Sequence, residues 1–160
     1  MALDSPERIP TGRAEHRMAR VAGAALLVIA AGLHIYEYFG ASPLSLAALF
    51  IASAAGTVAG AVLLLAKAPR LGWLIGGVAS ALTFAAYCIT RTIGIPGVDP
   101  SADIGYWLQP LGVVSLIVEA GALLLAVIAL SDRHNLSTHR ARAELAATIP
   151  GRAEVPDIHR

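Results

Sequence analysis

Four ionisable side chains interrupt otherwise apolar stretches of this 160-residue chain: His34 and Glu37 in one, Arg91 at the end of another, and Glu119 inside a third. Placing such a group among acyl chains costs several kcal/mol, so it faces a bundle interior and marks a site. Helical spacing assembles each with polar companions. His34 shares a face with Glu37 and Tyr38, Tyr87 with Arg91, and Ser115 with Glu119. The spacing therefore predicts one polar cluster of His34, Glu37, Tyr87, Arg91, Ser115 and Glu119. Guanidinium prefers planar, bidentate contact with carboxylate, so Arg91–Glu37 is the expected ion pair. Glu119 follows Pro110 by nine residues, roughly 13 Å along a helix and close to a bilayer midplane. It is expected as a neutral acid, or as a hydrogen-bond partner of Ser115 or His34.

Other chemistries find less support. His34 and Glu37, one turn apart, resemble half of a paired-ligand metal site, and they are weak metal candidates because only Glu119 could add to them. A bis-histidine haem needs a second membrane histidine. The stretch Asp99–Gly105 echoes a calcium loop, but Pro110 stands where the bidentate Glu belongs. It reads instead as a capping loop in which Asp103 starts a short turn. Cys88 is the sole cysteine, so it has no partner for a disulfide or redox pair. No phosphate-cradling glycine loop or nucleophile elbow occurs, and no nucleophile stands beside an oriented base. The residues thus name no cofactor and lean away from an enzyme.

The elements that hold the cluster are plain. Apolar segments run over about Met18–Phe39, Leu44–Ala66, Leu71–Thr90 and Leu111–Leu130, each near the 20 or so residues that cross a bilayer. With 56% hydrophobic and 14% charged residues, the chain reads as all-α: a four-transmembrane-helix bundle. The expected domains are a flexible N-terminal tail (1–15), the helical domain (16–131) with a loop at 91–110, and a polar C-terminal tail (132–160) with a short helix near Thr138–Ala147. Continuity of the first segment past Ala30-Ala31-Gly32 makes it a span and not a cleaved leader. Of twelve Lys and Arg, all but Arg91 lie in the N-terminal tail, the second loop (Lys67, Arg70) and the C-terminal tail. The positive-inside rule then places both termini in the cytoplasm of a multi-pass plasma (inner) membrane protein. Trp73 is expected at the inner interface, and Tyr36, Tyr38, Tyr87, Tyr106 and Trp107 at the outer one. Ala52, Gly56 and Gly60, and likewise Gly72, Gly76 and Ser80, repeat every fourth residue. Such stripes serve close packing within the bundle or a homodimer face.

The string Tyr87-Cys-Ile-Thr-Arg91-Thr-Ile-Gly94-Ile-Pro96-Gly97, with Pro110-Leu-Gly112 and Ser115…Glu119, resembles a group of small bacterial four-helix integral membrane proteins. They share an Arg-Thr-x-Gly-x-Pro-Gly, Pro-Leu-Gly and Glu pattern, and no activity is established for them. The resemblance implies the fold and the co-occurrence of His34, Arg91 and Glu119, and nothing about substrate. A second histidine usual after the first helix is replaced here by Glu37-Tyr38. Two functions remain. The first is an accessory or interaction subunit of a membrane complex, with the cluster as a latch. The alternative is a small transporter or sensor binding a proton, cation or small polar ligand at His34, Arg91 and Glu119. The expected partners are the lipid bilayer and either a second copy or a larger membrane complex. The basic tails suit topology and anionic lipid, not nucleic acid.

Overall fold

A computed structural model describes residues 11–41, 44–96 and 103–148, with side chains over 14–41, 44–96 and 103–132. Four helices follow in order: α1 (Thr11–Tyr38), α2 (Leu44–Leu65), α3 (Pro69–Thr92) and α4 (Pro110–Thr148). Each contains a stretch long and apolar enough to cross a membrane: Ala14–Tyr38, Leu44–Leu65, Pro69–Thr92 and Pro110–Asp132. The chain is a multi-pass membrane protein with an all-α, four-helix bundle fold. Two boundaries differ from the sequence expectation. α1 is already helical at Thr11, inside the expected flexible tail, and α4 runs past its span to Thr148 without a break. The short tail helix is thus a continuation of α4, because no Gly or Pro interrupts residues 122–148.

α1 and α3 each pack on α2 and α4, so the four helices form a ring in which α1 and α3 stand on the diagonal. The core is built from small residues, including Ala24, Ala30, Ala54, Ala61, Ala122 and Ala126, with Leu27 and Leu64 between them. Large side chains such as Val28, Val62, Leu82, Ile117 and Leu124 face outward. This inversion is expected in lipid, where burying a leucine gains nothing over leaving it among acyl chains and close backbone contact holds helices together.

Most of the small-residue stripes pack inside the bundle, whereas Ala52 is exposed. A Cβ on Gly60 would lie 2.7 Å from Gly76 Cα, and one on Gly72 would lie 2.5 Å from Leu64 N. α2 and α3 therefore touch backbone to backbone where Gly60 meets Gly76 and Gly72 meets Leu64. Trp73, expected at the inner interface, is turned into the bundle at that end of α3. It is 2% exposed, because its ring fills the space over Gly23 that any side chain there would occupy. Arg20 closes the same end of the bundle by donating from Nε to the Leu64 carbonyl (2.7 Å) and from Nη2 to the Ala66 carbonyl (2.9 Å). Those carbonyls end α2, where a helix leaves acceptors unsatisfied.

At the opposite end α3 stops at Gly94, whose φ of 69° turns the chain while its N–H bonds to the Ile89 carbonyl at 3.1 Å. The loop then returns to α3: Gly105 N–H donates to the Arg91 carbonyl at 2.9 Å. Asp103 does begin a turn, its carbonyl accepting from Tyr106 N–H at 3.1 Å. Asp99 and Ser101, part of the calcium-like stretch, lie outside the described residues.

Candidate functional site

α1 and α4 are neighbours in the ring, and their two deepest polar groups meet there. His34 is 0% and Glu119 1% exposed, with His34 Nε2 2.8 Å from Glu119 Oε1. Of the two expected partners for Glu119, the structure thus selects the imidazole; Ser115 is buried one turn away on the same helix. Glu37, one turn along α1, brings Oε2 to 3.7 Å from His34 Nδ1. The imidazole is therefore flanked by two carboxylates. Phe50 of α2 stacks on it with ring centroids 6.1 Å apart, covering the side away from Glu119's helix.

Arg91 does not pair with Glu37. Its Nη1 is ion-paired with Asp103 Oδ2, its Nη2 donates to Gln109 Oε1 at 2.8 Å, and its guanidinium carbon lies 4.9 Å from the centre of the Tyr87 ring. The correction has a geometric cause. α1 and α3 face each other diagonally, whereas the α3–α4 loop folds back onto the end of α3 and delivers Asp103 and Gln109 beside the guanidinium. Tyr87 is held in turn. Its hydroxyl donates to the Trp107 carbonyl at 2.9 Å, and its ring lies over Gly112, where a Cβ would come within 2.6 Å of Cε2.

The two groups open on one cavity of about 650 Å³, lined by Glu37, Tyr87, Arg91, Asp103, Ser115 and Glu119 at its polar end. The rest of its wall is mostly apolar and comes mainly from α2 and α3, with Leu49, Val78 and Leu82 exposed. α2 and α3 stay bridged by Thr83 Oγ1, which donates to Ser53 Oγ at 3.3 Å. The cavity extends along both helices on either side of that bridge and reaches inward to Glu119. His34 does not line the cavity itself, since Phe50 does so in its place. Several polar atoms at this end have no hydrogen-bond partner among the described residues: Glu119 Oε2, His34 Nδ1 and Arg91 Nε. Buried polar atoms left unpaired are rare in proteins and point to something further that completes them.

Among the described residues, no group of three or more metal-ligating side chains is arranged to hold an ion. His34, a weak metal candidate with Glu37, directs its Nε2 at Glu119. Sequence reasoning missed the roles of Asp103, Gln109 and Phe50. The first had a detectable signal, because Arg91 is the single Lys or Arg outside the two tails and the second loop, and acids follow it in the loop. Phe50 carried none, being one aromatic residue in an apolar helix. Compared with protein-family models, curated proteins and solved structures, the chain matches none of them.

Proposed function

We propose that this protein binds a small ligand within the membrane, as a transporter or sensor, with Glu119 as the anchoring group and His34, Glu37 and Arg91 setting the charge around it. The observation that carries this reading is the cavity reaching a carboxylate that is 1% exposed and has one oxygen unpaired. A purely structural latch would leave no such space and no such free acceptor. By the positive-inside rule, Lys67 and Arg70 lie in the cytoplasm with both termini, and the polar end of the cavity lies toward the outer face of a bacterial plasma membrane. The motif resemblance to small bacterial membrane proteins agrees with that placement.

The test is access. In a Cys88→Ser background, Ser115→Cys puts a thiol on the cavity wall with little change of shape, and Ala126→Cys puts one in the closed core. A small maleimide added to the protein in liposomes should modify the first and leave the second intact. If the Ser115→Cys protein is as inert as the Ala126→Cys protein, the cavity is closed and the ligand-site reading falls.

The accessory-subunit reading keeps one specific support. α4 continues 16 residues beyond Asp132, about 24 Å of helix past the span, carrying Arg133, Arg140 and Arg142. Deleting residues 133–160 would abolish co-purification of a partner subunit if that extension is its docking arm, and would leave ligand binding intact.

A further inference from the structure

The charge inventory around the cavity does not close, and its shape is not that of a site for a free ion in water. Asp103 and Arg91 neutralise each other by direct contact. What remains is Glu37 and Glu119 against a single imidazole, placed between them at 3.7 and 2.8 Å. With the imidazole protonated and both carboxyls ionised, the group carries one negative charge in excess, which either a proton or a bound cation can neutralise. α2 supplies nothing to offset it, since Leu44–Leu65 contains no ionisable residue. An unbalanced charge in a low-dielectric interior costs several kcal/mol, and a positive group brought to it is correspondingly favoured. Glu119 Oε2, buried and unpartnered, is the free acceptor at the end of the cavity.

The remaining wall specifies the other half of the ligand. From Leu74 to Arg91 the cavity follows eighteen residues of α3, about 25 Å of helix. Over most of that length it is bounded by hydrocarbon side chains whose outer members, Leu49, Val78 and Leu82, face the surroundings of the bundle. An entrance between two helices and lined in this way admits molecules already dissolved in the bilayer.

We infer that the cavity takes an amphiphilic organic monocation, entering laterally between α2 and α3, with its ammonium head on Glu119 beside Glu37 and its hydrocarbon tail along the α2–α3 groove. The inference rests on the ligand-site reading and adds the charge, the tail and the route. Glu119 is the binding carboxylate. Glu37 contributes long-range attraction, and Phe50 separates the head from the imidazole.

The experiment compares decylammonium, decanol and decanoate, which share one tail, in phosphatidylcholine nanodiscs holding the full chain, with empty discs subtracted. Decylammonium should bind saturably and about tenfold or more tightly than the other two. Glu119→Gln keeps an acceptor for the imidazole and removes the charge, so the preference should collapse while the melting temperature holds. Glu37→Gln serves as the second charge variant should Glu119→Gln not fold, and should reduce the preference in part. Ala52→Trp, at an exposed position on the groove wall, should weaken amine binding by blocking the tail. Equal or tighter binding of decanol or decanoate overturns the cationic head, and amine binding indifferent to both charge variants does the same. Binding of none of the three overturns the inference as well. In each case a reactive Ser115→Cys thiol would show that the site itself stands, whereas an inert thiol would remove both readings together.

Discussion

At the end of the bundle that carries Arg20 and Trp73, α2 and α3 meet through Gly60, Gly72 and Gly76, and a side chain on any of them would strike a neighbour. Beside that contact the same two helices border a cavity whose polar end lies at the other end of the bundle, and the atoms there include a carboxylate oxygen with nothing to bind. One end is closed by small residues in close contact; the other leaves space and unpaired polar atoms. Close packing at one end and an open cavity wall at the other make a scaffold in which packing and binding are separable. Stability is concentrated where the glycines are, and chemistry where they are not.

Substitutions test that separation, beginning with the largest effect. Gly72→Leu drives a side chain into the backbone of α2, which cannot yield as a flexible chain would, and should remove more than about 3 kcal/mol. The readout is loss of the monodisperse folded species in size-exclusion chromatography. His34→Ala leaves Glu119 buried without its imidazole and should destabilise by roughly 3 kcal/mol, measured as a drop in the denaturation midpoint in detergent. Glu119→Gln, in contrast, preserves a partner for the imidazole and should change stability by less than about 1 kcal/mol. A collapse as large as that of His34→Ala would mean that the polar end is structural after all, and the contrast between the two ends would fail. Asp103→Asn removes the charge paired with Arg91 at a half-exposed site and should cost no more than about 1 kcal/mol. It should also loosen the loop, seen as faster hydrogen exchange at the Gly105 amide. Smallest of all, Val62→Ala on the outward face should shift stability by no more than about 0.5 kcal/mol, because it exchanges one lipid contact for another.

The spans, their number and the turn at Asp103 were legible along the chain, because a bilayer demands apolar runs of a set length and a turn is a local matter of backbone. Arg91, by contrast, found Asp103 and not Glu37, since pairing depends on which helices are neighbours and on where a loop returns. Trp73 followed the same logic. An indole at a helix end belongs at the membrane interface unless another helix presents a gap, and Gly23 of α1 presents one. Helical spacing placed Ser115 on the face of Glu119 but left open which atom that carboxylate would meet.

By itself, then, the order of residues determined that this protein crosses a membrane four times as helices and that a few ionisable groups must turn inward, because solvation by lipid acts on each segment independently. Only the tertiary structure decided that His34 meets Glu119, that Arg91 belongs to the loop, and that α2 and α3 enclose a space between them. Those outcomes depend on the relative rotation and separation of helices. That arrangement is set by glycine contacts spread over all of them and by no single segment.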